Sequence, residues 1–199
     1  MTQRTQPLFP LGTVLFPGGP LALRIFEPRY VDMVGRCMKD GTGFAVVLIV
    51  EGREAGSGAL TTAAVGTEAR IVDFNRLEDG LLGLSCIGGE RLRVMRAWRQ
   101  DDGLNLAEVT PLAPDPAVAI PEDCAHLTEA LRRLYPDLGE PYASIAPQFD
   151  DAAWVGNRLA ELAPLEPALK QGLLELEDPV ERLRYLAPMI RLDPPPTDA

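Results

Sequence analysis

Residues 8–30 read Leu8-Phe9-Pro10-Leu11-Gly12-Thr13-Val14-Leu15-Phe16-Pro17-Gly18-Gly19-Pro20-Leu21-Ala22-Leu23-Arg24-Ile25-Phe26-Glu27-Pro28-Arg29-Tyr30. Short apolar pieces alternate here with proline and glycine stops. Pro10 closes Leu8-Phe9, Pro17-Gly18-Gly19-Pro20 closes Val14-Leu15-Phe16, and Leu21 to Phe26 follows. Proline fixes φ and has no amide proton, so it belongs at strand edges and at the first position of a helix. The spacing predicts two short, heavily buried strands, a wide turn between them, and a helix starting near Glu27-Pro28. Together they form the N-terminal corner of a β-rich core.

Working outward, the helix is expected over about Pro28 to Met38. Val31, Val34 and Met38 recur at helical spacing, and Tyr30, Met33 and Cys37 make a neighbouring row. The two rows predict one broad apolar face, and Asp40-Gly41 ends it. Gly43 to Val50 is a continuous, β-branched apolar run, as expected of a strand buried on both faces. Glu51 to Gly58 has the composition of a flexible loop. No helix start with a lysine follows it, so it does not read as a phosphate loop. Ala64 to Asn75 is a second long strand, turned at Glu78-Asp79-Gly80 into Leu81 to Ile87. Gly88-Gly89 signals a bend or bulge. Arg91 to Trp98 alternates, and Gln100 to Gly103 turns into Leu104 to Leu112. Six or so strands with short connections predict a small, coiled, barrel-like sheet, plugged or flanked by the one helix.

Pro111 to Pro116 is a proline-rich joint, and the pattern beyond it is helical. Leu127, Leu131 and Leu134 form one stripe. Asp151 caps a second helix with Val155, Leu159 and Leu162 inward. Leu165, Leu169, Leu173 and Leu176 form a third stripe. Asp178-Pro179-Val180-Glu181 starts a fourth helix, with an N-cap acid, proline at N1 and glutamate at N3. Leu183, Leu186 and Ile190 lie along it. The reading is α+β: a β-rich domain over 1–113, a compact four-helix bundle over 114–192, and a disordered tail over 193–199.

Of the 199 residues 46% are hydrophobic and 24% charged, ordinary for a globular chain. Net charge is −10, with −2 in residues 1–115 and −8 in residues 116–199. Such a balance opposes non-specific binding to nucleic acid or anionic lipid. No apolar run approaches the roughly 18–20 residues of a membrane span, and the start lacks an apolar signal segment. The expectation is a cytoplasmic protein. Cys37, Cys86 and Cys124 are too few and too scattered for a disulfide framework, or with His126 for a zinc site. The chain has only two lysines. Lys39 precedes Asp40 and Lys170 precedes Gln171, so neither makes the Gly-Lys-Ser/Thr of a phosphate loop. The serines are Ser57, Ser85 and Ser144. Cys124 and His126 diverge on a helix. No catalytic residue, cofactor or metal is therefore expected, and the paired acids Asp101-Asp102 and Asp150-Asp151 suit a turn and a helix start.

Pro7 to Tyr30 resembles the opening of the Lon N-terminal, substrate-binding domain. Lys170-Gln171-Gly172-Leu173-Leu174-Glu175, followed by Glu181-Arg182-Leu183, is similar to that domain's helical end. The resemblance implies a PUA-like β pseudo-barrel and a non-catalytic module that binds unfolded or extended polypeptide segments or a partner protein. The ATPase and Ser–Lys peptidase parts of full-length Lon proteases have no counterpart here, and Ser57, Ser85 and Ser144 fit no peptidase motif of that family. The expected contacts are Phe16, Pro17, Phe26 and Tyr30, around the proline-rich turn and the start of the helix. An alternative is RNA binding by Arg91, Arg93, Arg96 and Arg99 with Trp98, since PUA-like folds in other families bind RNA. The acidic balance disfavours it, and a peptidase-related enzyme is the third reading.

Overall fold

The computed structural model describes residues 2–52 and 60–190. Most of the expected Glu51–Gly58 loop, with Ser57, and the expected tail lie outside the described residues. The elements form two compact units. One comprises the chain up to Pro114 together with Leu165–Glu175, the other Asp115–Pro164 together with the chain from Leu176.

The first unit holds strands β1 (Arg4–Leu11), β2 (Pro20–Ile25), β3 (Phe44–Glu51), β4 (Thr61–Thr62), β5 (Val65–Arg76), β6 (Leu82–Arg99) and β7 (Asn105–Pro111). Its helices are α1 (Pro28–Asp40) and α4 (Pro167–Glu175). The ladder runs β1-β7-β6-β5-β3. Parallel pairing of β1 with β3, from Leu8 opposite Ala45 to Leu11 opposite Leu48, returns it to its start. The sheet therefore closes into a barrel, which removes most of its free edges. β6 is long enough to serve twice. Its first half lies between β2 and β5, and its second half pairs with β7.

Burial explains why β3 reads as an unbroken apolar run. Phe44 and Val46 join Phe9, Leu84, Cys86 and α1 in one core cluster. Ala45 and Val47 join Leu8, Leu92, Ala107 and Val109 in another. Successive side chains of a strand point to opposite faces, and here both faces are covered. Thr67 is buried as well, and its hydroxyl donates to the Leu15 carbonyl at 2.6 Å.

α1 begins with Pro28 at its first turn and ends at Gly41, which takes φ 65° in the left-handed region. Its buried face is Tyr30, Met33, Val34 and Cys37, an i, i+3, i+4, i+7 stripe. Val31 and Met38, expected on that face, stand at its flanks and are exposed. The face is one stripe wide because a single side of α1 meets the strands.

The second unit contains α2 (Ala125–Leu134), α3 (Ala152–Leu162) and α5 (Pro179–Leu186). Asp151 and Asp178 cap α3 and α5 as the sequence predicts, accepting from Ala153 N at 3.1 Å and Val180 N at 2.8 Å. α3 is buried almost all round. Leu134, expected inward on α2, is exposed. All four expected helices occur, but α4 belongs to the strand unit rather than to a bundle with the other three. Two polar side chains fix it there. Gln171 Nε2 donates to the Val65 carbonyl at 2.9 Å, and Arg91 Nη1 to the Leu174 carbonyl at 3.0 Å.

Candidate functional site

The turn before β2 is bolted to the strand opposite it. Gly18 N donates to the Gly88 carbonyl at 2.8 Å, and Gly88 N to the Gly19 carbonyl at 2.8 Å. Gly88 lies so close to the Phe16 carbonyl that a Cβ there would sit 2.1 Å from it. Phe16 is consequently fully buried, and Pro17 is half-buried beside it. The start of α1 is equally fixed. Arg29 is buried, paired with Glu27 at 2.8 Å, and its Nη1 donates to the Gly103 carbonyl at 2.5 Å. Tyr30 packs against Phe9 with ring centroids 4.2 Å apart. Phe26 stands out from this frame with 69% of its surface exposed.

The four expected contact residues thus divide. Phe16 and Tyr30 are core, and only Phe26, with the rim of Pro17, presents side-chain surface. The reason is alternation. Ile25 ends β2 pointing inward at 2% exposure, so its successor points out. Val31, one turn into α1, adds exposed apolar surface. Val72 and Phe74, also exposed, sit in the second half of β5, within the long strand expected over Ala64 to Asn75. Their partner strand, β3, starts only at Phe44, opposite Ala69.

The reactive residue types are placed structurally. Cys37, Cys86 and Cys124 are buried free thiols. Burial pushes the Cys86 thiol up to about 12, and it raises those of Cys37 and Cys124. A thiol above its ordinary value is protonated and a poor nucleophile. Alkylation by iodoacetamide at mildly alkaline pH should therefore be at least about 100-fold slower for the folded chain than in guanidinium, read by mass spectrometry. The same shift favours the folded state below the ordinary thiol value of 9.0, and that contribution fades as pH rises from there towards about 12. Among the described residues no three His, Cys, Asp or Glu side chains converge as a metal site. Ser144 donates to the Pro141 carbonyl at 3.2 Å. In the arginine strand Arg91 is buried against the barrel's own carbonyls, at Leu174 and Ala113. Arg96 lies over the Trp98 ring at 5.8 Å, and Arg99 donates to the Gly103 carbonyl at 3.2 Å. No helix among the described residues is long and apolar enough to cross a membrane.

The barrel with its helical elements has close counterparts. The model of the ATP-dependent protease La (Lon) substrate-binding domain matches residues 5–191. The chain belongs to the Lon substrate-binding domain family. A Lon N-terminal domain protein from Xanthomonas campestris superposes with a TM-score of 0.79 at 38% identity, covering 94% of this chain and 99% of that one. The N-terminal domain of Lon protease from Mycobacterium avium complex shares the fold, with a TM-score of 0.66 at 19% identity over 92% of this chain and 96% of that one. Lon protease of Haemophilus influenzae is 26% identical over 198 residues, 95% of this chain but 24% of that protein. Protein cereblon of Danio rerio is 31% identical over 122 residues, 57% of this chain and 28% of cereblon. The chain thus spans about a quarter of the length of these curated relatives. The part of Lon to which it corresponds is the substrate-binding module and not the catalytic part.

Proposed function

We propose that this Lon substrate-binding domain protein is a non-catalytic recognition module for unfolded or extended polypeptide segments. The observation that carries the reading is Phe26. A large aromatic side chain, mostly exposed, projects from a start of α1 that the Arg29–Glu27 pair and the Arg29 bond to the Gly103 carbonyl hold in place. Aromatic anchors on rigid frames give binding energy at low conformational cost. Family membership supports the same reading. Tyr30 serves the contact from beneath by packing the start of the helix on Phe9, while Phe16 and Pro17 lie at the other end of β2, in the turn bonded to Gly88.

The test is titration of fluorescently labelled β-casein, an unfolded polypeptide, at physiological salt. Phe26→Ser should weaken binding at least about fivefold, the loss expected for one exposed aromatic anchor. The melting temperature should stay where it was, because so exposed a ring contributes little to the fold. Unchanged affinity in a folded Phe26→Ser protein would remove this residue from the contact surface.

A further inference from the structure

The barrel has a gap in its ladder, bounded by two strand edges. β1 pairs with β7 from Arg4 to Leu8, but with β3 only from Leu8 onward. The edge of β1 from Arg4 to Pro7 that faces away from β7 has no strand beside it among the described residues. On the other side, β5 pairs with β3 only as far as Ala69, opposite Phe44. From Arg70 to Phe74 its outer edge is likewise open among the described residues. Both edges line one groove of about 810 Å³, floored by Gly41–Gly43 and the end of α1. The groove occupies the place a backward extension of β3 would fill, had the chain not turned into α1.

Two buried polar atoms at this groove lack partners. Gln6 is 6% exposed, and its Oε1 accepts nothing. Arg4 Nε, two residues away and so on the same side of β1, donates to nothing. The rest of both side chains is engaged. Arg4 Nη2 pairs with Glu68 at 3.1 Å and Glu90 at 2.5 Å, and Gln6 Nε2 donates to Glu68 at 2.9 Å. Both atoms are themselves shielded from solvent, so an added segment would meet the open backbone edges of β1 and β5 rather than these two side-chain atoms. Exposed Val72, Phe74 and Met38 offer apolar surface on the lip, and the charged residues of the lining balance, Arg4 and Arg70 against Glu68 and Asp73.

We infer that this gap takes an extended, uncharged polypeptide segment as an added strand, its backbone pairing with the open edges of β5 and β1. Such augmentation takes affinity from the main chain and only loose selectivity from side chains, which suits a recogniser of many unfolded sequences. The inference rests on the proposed polypeptide binding and gives it a second contact region. α1 has 13 residues, so Phe26 at its start and the gap at its end lie about 20 Å apart. A segment of six or so extended residues spans about that length.

The resting edge is guarded. β5 bulges between Ile71 and Asp73, and Asp73 Oδ1 accepts from Phe74 N at 2.8 Å. Bulges and edge charges keep free strands from pairing indiscriminately. Removing this guard should therefore strengthen binding, an effect that damage to the fold would not produce.

Hydrogen exchange on the whole chain, with and without saturating β-casein, is the test. Amides of 70–75 and 4–6 should slow at least about tenfold when casein is bound. Asp73→Ala should bind casein about threefold or more tighter, by freeing a backbone donor. A lysine-flanked peptide of alternating valine and threonine should bind, and its alternately N-methylated form at least about tenfold more weakly. Casein binding with exchange unchanged at 70–75 would overturn the added strand and leave the Phe26 reading standing. Absence of casein binding would sink both. Slowing that depends on the protein's own concentration without casein would assign the gap to a second copy of the chain, against this inference.

Discussion

Replacing Asp115 by alanine is expected to destabilise the helical unit by about 3–5 kcal/mol, the cost of leaving a buried charge without its partner. Arg182 is fully buried, and its Nη1 meets Asp115 Oδ2 at 2.7 Å while Nη2 donates to the Leu176 carbonyl at 2.6 Å. It lies under α3 where a glycine makes room, with its Cδ 3.3 Å from where a Gly156 Cβ would be. Nothing as large as a guanidinium can swing out to water from there without unpacking α3 from α5. The double change Asp115→Ala with Arg182→Met should recover most of the loss, since an apolar side chain of similar length needs no counter-charge. Urea unfolding followed through Trp154, in a Trp98→Phe background, reads both. A loss under about 1 kcal/mol for Asp115→Ala would mean that the pair is effectively solvated.

Gly88→Ala should cost the barrel about 3 kcal/mol or more, at the upper end for overpacking because the obstacle is backbone. The added methyl would lie 2.1 Å from the Phe16 carbonyl oxygen and 3.0 Å from its carbon. Relief requires the 16–19 turn to lift from β6, breaking the paired hydrogen bonds at Gly18 and Gly88 and exposing Phe16. Gly35→Ala is the matched control. It lies on the exposed side of α1 with nothing within 4 Å of the new methyl, and should stabilise by about 0.5–1 kcal/mol. Trp98 fluorescence in urea reports both. Equal effects from the two substitutions would refute the clamp.

The N-terminal corner was legible because its stops are chemical. Pro17 and Pro20 bracket the turn into β2 and Pro28 opens α1, but Pro10 does not close a strand: β1 runs through Pro7 and Pro10 to Leu11, with Pro10 opposite Val47, and Val14 to Phe16 is buried without being a strand. The alternation that buries Ile25 also points Phe26 outward, and helical spacing sets Tyr30 with Met33 and Cys37 on the apolar face of α1, where it is buried. Closure of the barrel was not legible in detail. The parallel pairing of β1 with β3 joins residues far apart in sequence, and periodicity says which face is apolar but not what covers it. The same limit applies to the partners of α4, which groups with the strand unit. Its leucine stripe is real, yet bonds from Gln171 to the Val65 carbonyl and from Arg91 to the Leu174 carbonyl tie it to the strand unit, and helical spacing carries no sign of them. The gap beside β5 is a property of register, set by where β3 begins, and composition carries no trace of it.

The central claim is that this Lon substrate-binding domain protein recognises chain that is unfolded, whatever its sequence. The most direct measurement compares one polypeptide in two states: ribonuclease A, native and after reduction and carbamidomethylation, which leaves its charge nearly unchanged. Titrated against the full chain at physiological salt, the unfolded form should bind and the native form should not. Equal binding of both forms, or of neither, would contradict the account.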